Sequence, residues 1–165
     1  MVASCHVAHP GVYDTHVALP ISHRIGPVTK EELPQVVAIL AAHGLPSEGL
    51  DAVMETLLVS RSRGQVIGCA ALEVYGDTAL LRSVAVDPGW QGRGLGKELV
   101  ERALSTARLH HVTSVYLLTF NAAAYFERLG FVPCERSAVP PAIQNSLEFT
   151  TLCPATTPAM QKRPI

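Results

Sequence analysis

Six residues, Gln91-Gly92-Arg93-Gly94-Leu95-Gly96, place three glycines at alternate positions and are followed by Lys97. Glycine lets a backbone turn tightly and brings its N–H groups up to a ligand with no Cβ in the way. A helix starting at the end of such a loop adds unpaired N–H groups and the positive end of its dipole. Together with the charges of Arg93 and Lys97, loop and helix start suit a pyrophosphate. The same spacing also fits a glycine-rich surface loop that binds nothing, so the surroundings must decide. A P-loop is excluded, because the Gly-Lys-Ser/Thr ending is missing. The hexapeptide also lies past the middle of the chain, which argues against a dinucleotide-binding βαβ unit at the start of the fold.

Other residue types with chemical potential carry weaker patterns. Cys5, Cys69, Cys134 and Cys153 are widely spaced and form no C-x-x-C pair. That argues against a zinc site or a secreted disulfide scaffold and for free thiols in a reducing, cytoplasmic setting. No metal is expected. His6, His9 and His16 join Cys5 in a first segment with no rigid frame to hold an ion. His110 and His111 close a predicted helix, where a cation suits the dipole. The chain has 165 residues, 48% hydrophobic and 16% charged, with a formal net charge of −1. Such a length suits one domain. The missing basic excess argues against nucleic acid or an anionic membrane surface as partner. No apolar run reaches the ~18 residues of a membrane span, and no basic-then-apolar leader pattern opens the chain.

The elements that must position the loop alternate strand and helix. Residues 1–20 read as a loose extension, 21–153 as the structured domain, and 154–165 as a tail. A strand over 22–28 leads to Thr29 and Glu32, spaced as a capping box. The helix that follows presents Leu33, Val36, Val37 and Leu40 on one face and ends at Gly44. A short helix is expected over 51–56. Strands over 57–60, 65–75 and 78–86 are separated by the turn pairs Arg63-Gly64 and Gly76-Asp77 and stopped by Asp87-Pro88. Neighbouring antiparallel strands are the simplest arrangement. A helix from the glycine loop to about His110 shows Leu95, Leu99, Ala103 and Ala107 on one face. Residues 112–119 form a continuous apolar strand, buried on both sides. A short helix over 122–129 stops at Gly130, and final strands are expected over 131–135 and 147–152.

The run Leu80-Leu81-Arg82-Ser83-Val84-Ala85-Val86-Asp87-Pro88, followed by the glycine hexapeptide, resembles the cofactor-binding motif of the GNAT N-acetyltransferases. Asn121 and then Phe126-Glu127-Arg128-Leu129-Gly130-Phe131 resemble the next motif of that superfamily, in the same order. Glu73-Val74-Tyr75-Gly76, Leu80-Leu81-Arg82-Ser83, Tyr116-Leu117-Leu118-Thr119, Glu148-Phe149 and Leu152-Cys153-Pro154, with Gly44-Leu45-Pro46, look like the arsenic-resistance-associated subgroup. The resemblance implies an α/β (α+β) fold with a mixed, mostly antiparallel sheet of six or seven strands and helices on both faces. It implies acetyl-CoA as co-substrate. It also implies a small-molecule amine as acceptor, such as an amino-acid-like organoarsenical or phosphinate. A general amino-acid or peptide acetyltransferase, and a catalytically weak acyl-CoA sensor, remain as alternatives. Homodimers are common in the superfamily.

What the resemblance implies for individual residues is specific. Backbone N–H groups of Gln91, Gly92, Arg93, Gly94, Leu95 and Gly96 would hold the pyrophosphate, with Lys97 at the rim and Asn121 against the cofactor or capping a helix. Val84, Ala85 and Val86 would line the pantetheine arm, in a V where strand 78–86 parts from strand 112–119. Glu73 is the candidate base, directly or through water, because the attacking amine must lose a proton. Arg82, a charge inside an apolar strand, needs a partner. It would pair with Glu73 or grip a substrate carboxylate. Ser83, Thr119 and Tyr75 would line the acceptor pocket. Arg136 would contact substrate or form a surface salt bridge. Many members carry a tyrosine where this chain has Phe126; Tyr125, one residue earlier, sits about 100° around a helix and should point elsewhere.

Overall fold

The computed structural model describes residues 22–165. The expectation for residues 1–20 falls outside them. Seven strands form one sheet in the order β1-β2-β3-β4-β5-β7-β6. They are β1 (Arg24–Pro27), β2 (Leu58–Ser62), β3 (Gln65–Tyr75), β4 (Thr78–Val86), β5 (Ser114–Leu118), β6 (Val132–Cys134) and β7 (Ala159–Lys162). Every neighbouring pair is antiparallel except β4 and β5. The helices are α1 (Leu33–Ala42), α2 (Leu95–Leu109), α3 (Ala123–Arg128) and α4 (Pro141–Gln144). Among the described residues, no helix is long and apolar enough to cross a membrane.

The strand alternation separates the two faces of the sheet. Leu58, Ala70, Leu72, Ala79 and Leu81 pack with Leu95, Leu99, Ala103 and Ala107 of α2. Val59, Cys69, Ala71 and Ala85 pack with Val36, Ile39 and Leu40 of α1. Helices therefore cover both faces, as the alternation of side chains along a strand requires. Val37, expected in the buried stripe of α1, is 40% exposed, and Ile39 takes its place. Pro34 near the helix start shifts the stripe, because the preceding turn Lys30–Glu32 is a 3₁₀ turn and not α-helix. The capping pair is present: the Thr29 N–H donates to Glu32 Oε2 at 2.8 Å.

The C-terminal third departs from the sequence reading. Residues 147–152 alternate apolar and polar side chains, which mimics a strand. They form a wide helical turn, Glu148–Leu152, in which the Cys153 N–H donates to Glu148 O five residues back. The Ser146 hydroxyl accepts from the Phe149 N–H at 3.4 Å and starts this turn as a helix cap would. The last strand lies in 154–165, expected to be a tail. There β7 inserts between β5 and β6 and buries Ala159 and Met160. Its polar residues, Gln161 and Lys162, hid it from a hydrophobicity reading. The Lys162 Nζ donates to Leu129 O at 2.7 Å, placing a cation at the end of α3.

Candidate active site

β4 and β5 pair in parallel only over Thr78–Leu80 and Ser114–Tyr116. Beyond those residues the strands part, giving the V expected between them. On its other side β4 carries a bulge: Ala71 faces Arg82 and Cys69 faces Ala85, so Ser83 and Val84 share one partner position. Ser83 adopts φ 55°, a strained value for a residue other than glycine. The buried Cys69 thiol donates to Ser83 O at 3.2 Å and braces the bulge. Burial pushes that thiol up to about 12, so it remains a donor at neutral pH. The Val86 carbonyl at the strand end contacts His43 Nε2 at 2.7 Å and accepts from Gln91 Nε2 at 3.1 Å. The end of β4 is thereby tied to both α1 and the glycine loop.

A cavity at the open end of the V is lined by Val84, Ala85, Val86, Gln91, Gly92, Gly94, Leu95, Gly96 and Lys97. Gly92 and Gly94 have φ of 75° and 81°, so these turns need glycine for their backbone conformation. Gly94 is the N-cap of α2. By helix geometry the N–H groups of Leu95, Gly96 and Lys97 have no intrahelical acceptor and face the loop. Three apolar-to-polar walls complete the cavity that sequence reasoning did not name: Trp90, Ala122 and Arg128. Arg93 and Asn121 do not line it. The Arg93 guanidinium lies over the Trp90 ring, 5.2 Å from its centre. Tyr125 lines the cavity, although the helix spacing has it pointing elsewhere, while Phe126 is 1% exposed and packs edge-on against Phe131. The short helix thus brings both rings to the cavity, with Phe126 at its boundary with the core.

Deeper in the V, a cleft is lined by Leu45, Pro46, Leu80 to Val84, Leu117, Leu118, Phe126, Glu148 and Cys153. It shares Val84 and Phe126 with the glycine-loop cavity. Arg82 forms its floor, with a side chain only 2% exposed. Its Nη1 donates to Glu73 Oε1 at 2.6 Å, its Nη2 to Glu48 O at 2.7 Å, and its Nε lies 3.0 Å from Glu148 Oε1. The Tyr75 hydroxyl donates to Glu73 Oε2 at 2.6 Å. Burial and that carboxylate hold the Tyr75 hydroxyl well above its ordinary range, so it stays protonated. Arg82 is thus the centre of an internal ion pair with Glu73, one of its two expected roles. Glu73 and Tyr75 face a second, open cavity that also includes Arg82, Glu55 and His110.

Thr119 does not line the acceptor side. It is fully buried, and its hydroxyl accepts from the Ala122 N–H at 3.1 Å in the turn that leads into α3. Among the described residues, Arg136 does not line the cleft and has no salt-bridge partner. It donates to Thr157 O and Phe149 O and lies over the Phe149 ring at 4.5 Å, pinning the wide turn to the strand β7 connection. Glu148 was the residue missed. Its signal was an acid embedded in an apolar run, which burial would penalise unless it had a partner.

Comparisons with known proteins agree with this geometry. Residues 54–133 match the model of the acetyltransferase (GNAT) domain family. An amino-acid acetyltransferase of Mycobacterium tuberculosis is 42% identical over 77 residues, covering 46% of this chain and 44% of that protein. An uncharacterized N-acetyltransferase of Chlorobaculum tepidum is 35% identical over 97 residues, covering 58% of this chain and 60% of that one. The chain thus spans less than two thirds of the length of these curated relatives. The N-acetylglutamate synthase of Neisseria gonorrhoeae, solved with coenzyme A and N-acetyl-glutamate, superposes with a TM-score of 0.76 at 20% identity, over 87% of this chain and 35% of that one. Rv2747 of M. tuberculosis, solved with CoA, gives 0.73 at 24% identity, over 86% and 99%. The chain therefore has the fold of these acetyltransferases, and its residues 54–133 are similar to the acetyltransferase (GNAT) domain family.

Proposed function

We propose that this protein is an acetyl-CoA-dependent N-acetyltransferase acting on the amine of a small, amino-acid-like molecule. The observation that carries this reading is the V between β4 and β5, with a glycine-shaped helix start at its mouth and a buried carboxylate–guanidinium cluster on its floor. The cavity fits the cofactor: positive-φ glycines and the first N–H groups of α2 suit a pyrophosphate. When bound, acetyl-CoA supplies the acetyl group as a thioester. The N–H groups from Gln91 to Gly96 hold its phosphates, and the parted edge of Val84 to Val86 receives the pantetheine arm. Arg128 and Lys97 add positive charge at the rim.

Holding the amine beside the thioester converts a bimolecular encounter into a local one, a gain that reaches many kcal/mol. The nitrogen–carbon bond forms as the carbon–sulfur bond breaks. The amine's proton goes to the carboxylates around Arg82, either Glu73, the sequence's candidate, or Glu148. Phe126 has no hydroxyl to protonate the departing sulfur; water, or another group such as the Tyr125 hydroxyl that lines the glycine-loop cavity, supplies that proton. The names of the relatives, amino-acid acetyltransferase among them, support an amino-acid-like acceptor. The resemblance to the arsenic-resistance subgroup adds amino-acid-like arsenicals and phosphinates to that class.

Free-thiol release from acetyl-CoA, measured across free amino acids, amino-acid-like arsenicals, phosphinates and polyamines, tests the reading. Release with amino-acid-like amines supports it, and which of them saturate at low concentration names the acceptor. Acetyl-CoA binding without release on any of them would leave a sensor instead.

A further inference from the structure

Two carboxylates touch Arg82, and they are held differently. Glu73 has a strong donor on each oxygen, Arg82 Nη1 and the Tyr75 hydroxyl, both at 2.6 Å. Glu148 has Arg82 Nε at 3.0 Å on Oε1, but on Oε2, among the described residues, only the Cys153 thiol, at 3.1 Å. A thiol is a weak donor. A carboxylate as buried as Glu148, with a side chain 9% exposed, is served far better by a charged donor.

Position separates the two further. Among the residues lining the cleft that adjoins the glycine-loop cavity, Glu148 is the one carboxylate, whereas Glu73 lines the cavity beyond Arg82. One guanidinium faces two carboxyl groups, a setting that favours an approaching cation. Glu148 also opens a wide, π-type helical turn, a local geometry that recurs at functional sites.

We propose that Glu148 receives the acceptor's ammonium at Oε2 and takes its proton, a role resting on the acetyltransferase reading above. Glu73 is then a positioning residue that fixes Arg82. The acceptor is a primary amine that arrives protonated. One proton passes from nitrogen to Glu148, and the freed lone pair forms the bond to the thioester carbonyl carbon. The carbon–sulfur electrons leave with sulfur, the second nitrogen proton reaches the sulfur through water, and Glu148 returns its proton to solvent. Ammonium and thioester thus give amide, thiol and one proton. Among the described residues, the charged and titratable groups near Glu148 besides Arg82 and Cys153 are Glu73 and Tyr75, acting through Arg82, and Arg136 beside the same turn. Burial and Glu148 push the Cys153 thiol up to about 11, so it stays a donor at working pH.

The test uses the full chain with the acceptor that wild type turns over. Glu148→Gln should lower turnover by about 100-fold or more, the lower range for losing an acid–base group. It should remove the acidic limb of the pH–rate profile and weaken acceptor binding to the CoA-loaded protein about tenfold by calorimetry, a change of ~1.4 kcal/mol. Acetyl-CoA affinity should be unchanged. Glu148→Asp should recover part of the turnover. Cys153→Ser, with its stronger O–H donor, should favour the carboxylate and move the acidic limb to lower pH. Glu73→Gln should keep that limb. An active wild type with Glu148→Gln inside threefold of it, limb intact, overturns the assignment alone. If Glu148→Gln does not fold, an acidic limb unmoved in both Glu148→Asp and Cys153→Ser overturns it instead. No turnover by wild type on any amine overturns the acetyltransferase reading as well.

Discussion

The Tyr125 hydroxyl lies 2.7 Å from the place where a Cβ on Gly96 would stand. The first turn of α2 and the tyrosine face of α3 thus meet inside the cavity at the mouth of the V, with no room for a methyl group between them. Tyr125 limits the width of the cavity, and Gly96 keeps the helix start low enough for its N–H groups to reach a phosphate.

Gly96→Ala should therefore push the Tyr125 ring into the cavity. Acetyl-CoA affinity should fall about tenfold, ~1.4 kcal/mol, with helix content unchanged by circular dichroism. Gly94→Val should do more, because a β-branched residue must adopt φ 81° at the α2 N-cap. Calorimetric titration with acetyl-CoA reads both. Wild-type affinity in the pair would contradict the seat assigned to this loop.

His43 contacts the Val86 carbonyl from the end of α1. His43→Ala removes one of the two side chains that hold the end of β4. The expected effect is a few-fold rise in KM for acetyl-CoA with kcat little changed, since a typical hydrogen bond contributes ~1 kcal/mol. A fall in kcat with KM unchanged would mean that His43 acts on the reacting groups and not on the seat.

Arg82 is buried between two carboxylates and a backbone carbonyl. Arg82→Ala leaves two buried acids without their partner, a loss of about 3–5 kcal/mol when one member of a buried pair is removed. Urea unfolding at neutral pH should show that loss. A change under ~1 kcal/mol would mean that the cluster is far more hydrated than its burial indicates.

Much of this arrangement was legible in the residues, and the reasons are local. β3 and β4 are bounded by turn pairs whose φ values are positive at Arg63, Gly64 and Gly76, so their ends were readable to the residue. The buried face of α2 follows from a four-residue spacing that no tertiary contact disturbs. The glycine loop announced its conformation through composition. The acceptor side was less legible. Glu148 meets Arg82 from a distant part of the chain, through a wide turn that sequence alternation disguised as a strand. That Tyr125 reaches the cavity beside Phe126 depends on how the short helix packs against Phe131. That packing choice has no counterpart in local spacing.

The buried Cys69 thiol also makes an alkaline prediction. Its folded value of about 12 lies above the ordinary thiol range near 8.5, so the folded state holds that proton more tightly than the unfolded chain. Stability contributed this way is complete below about pH 8.5 and is lost as pH rises toward 12. Tyr75, also raised, adds to the loss above pH ~10. Urea midpoints should fall over this window, and Cys69→Ala should flatten the lower part of the fall. Cys69 should also resist alkylation at pH 8 until the protein unfolds. Rapid labelling of folded protein would contradict its burial.

The central claim is that the V between β4 and β5 brings an amine to the thioester of acetyl-CoA. The most direct measurement follows free-thiol release from acetyl-CoA as one amino-acid-like amine is raised, and identifies the product by mass. The account predicts release that saturates with the amine and an equal amount of its N-acetyl amide. Bound acetyl-CoA with release no faster than in the absence of amine, and no amide formed on any acceptor, would contradict it.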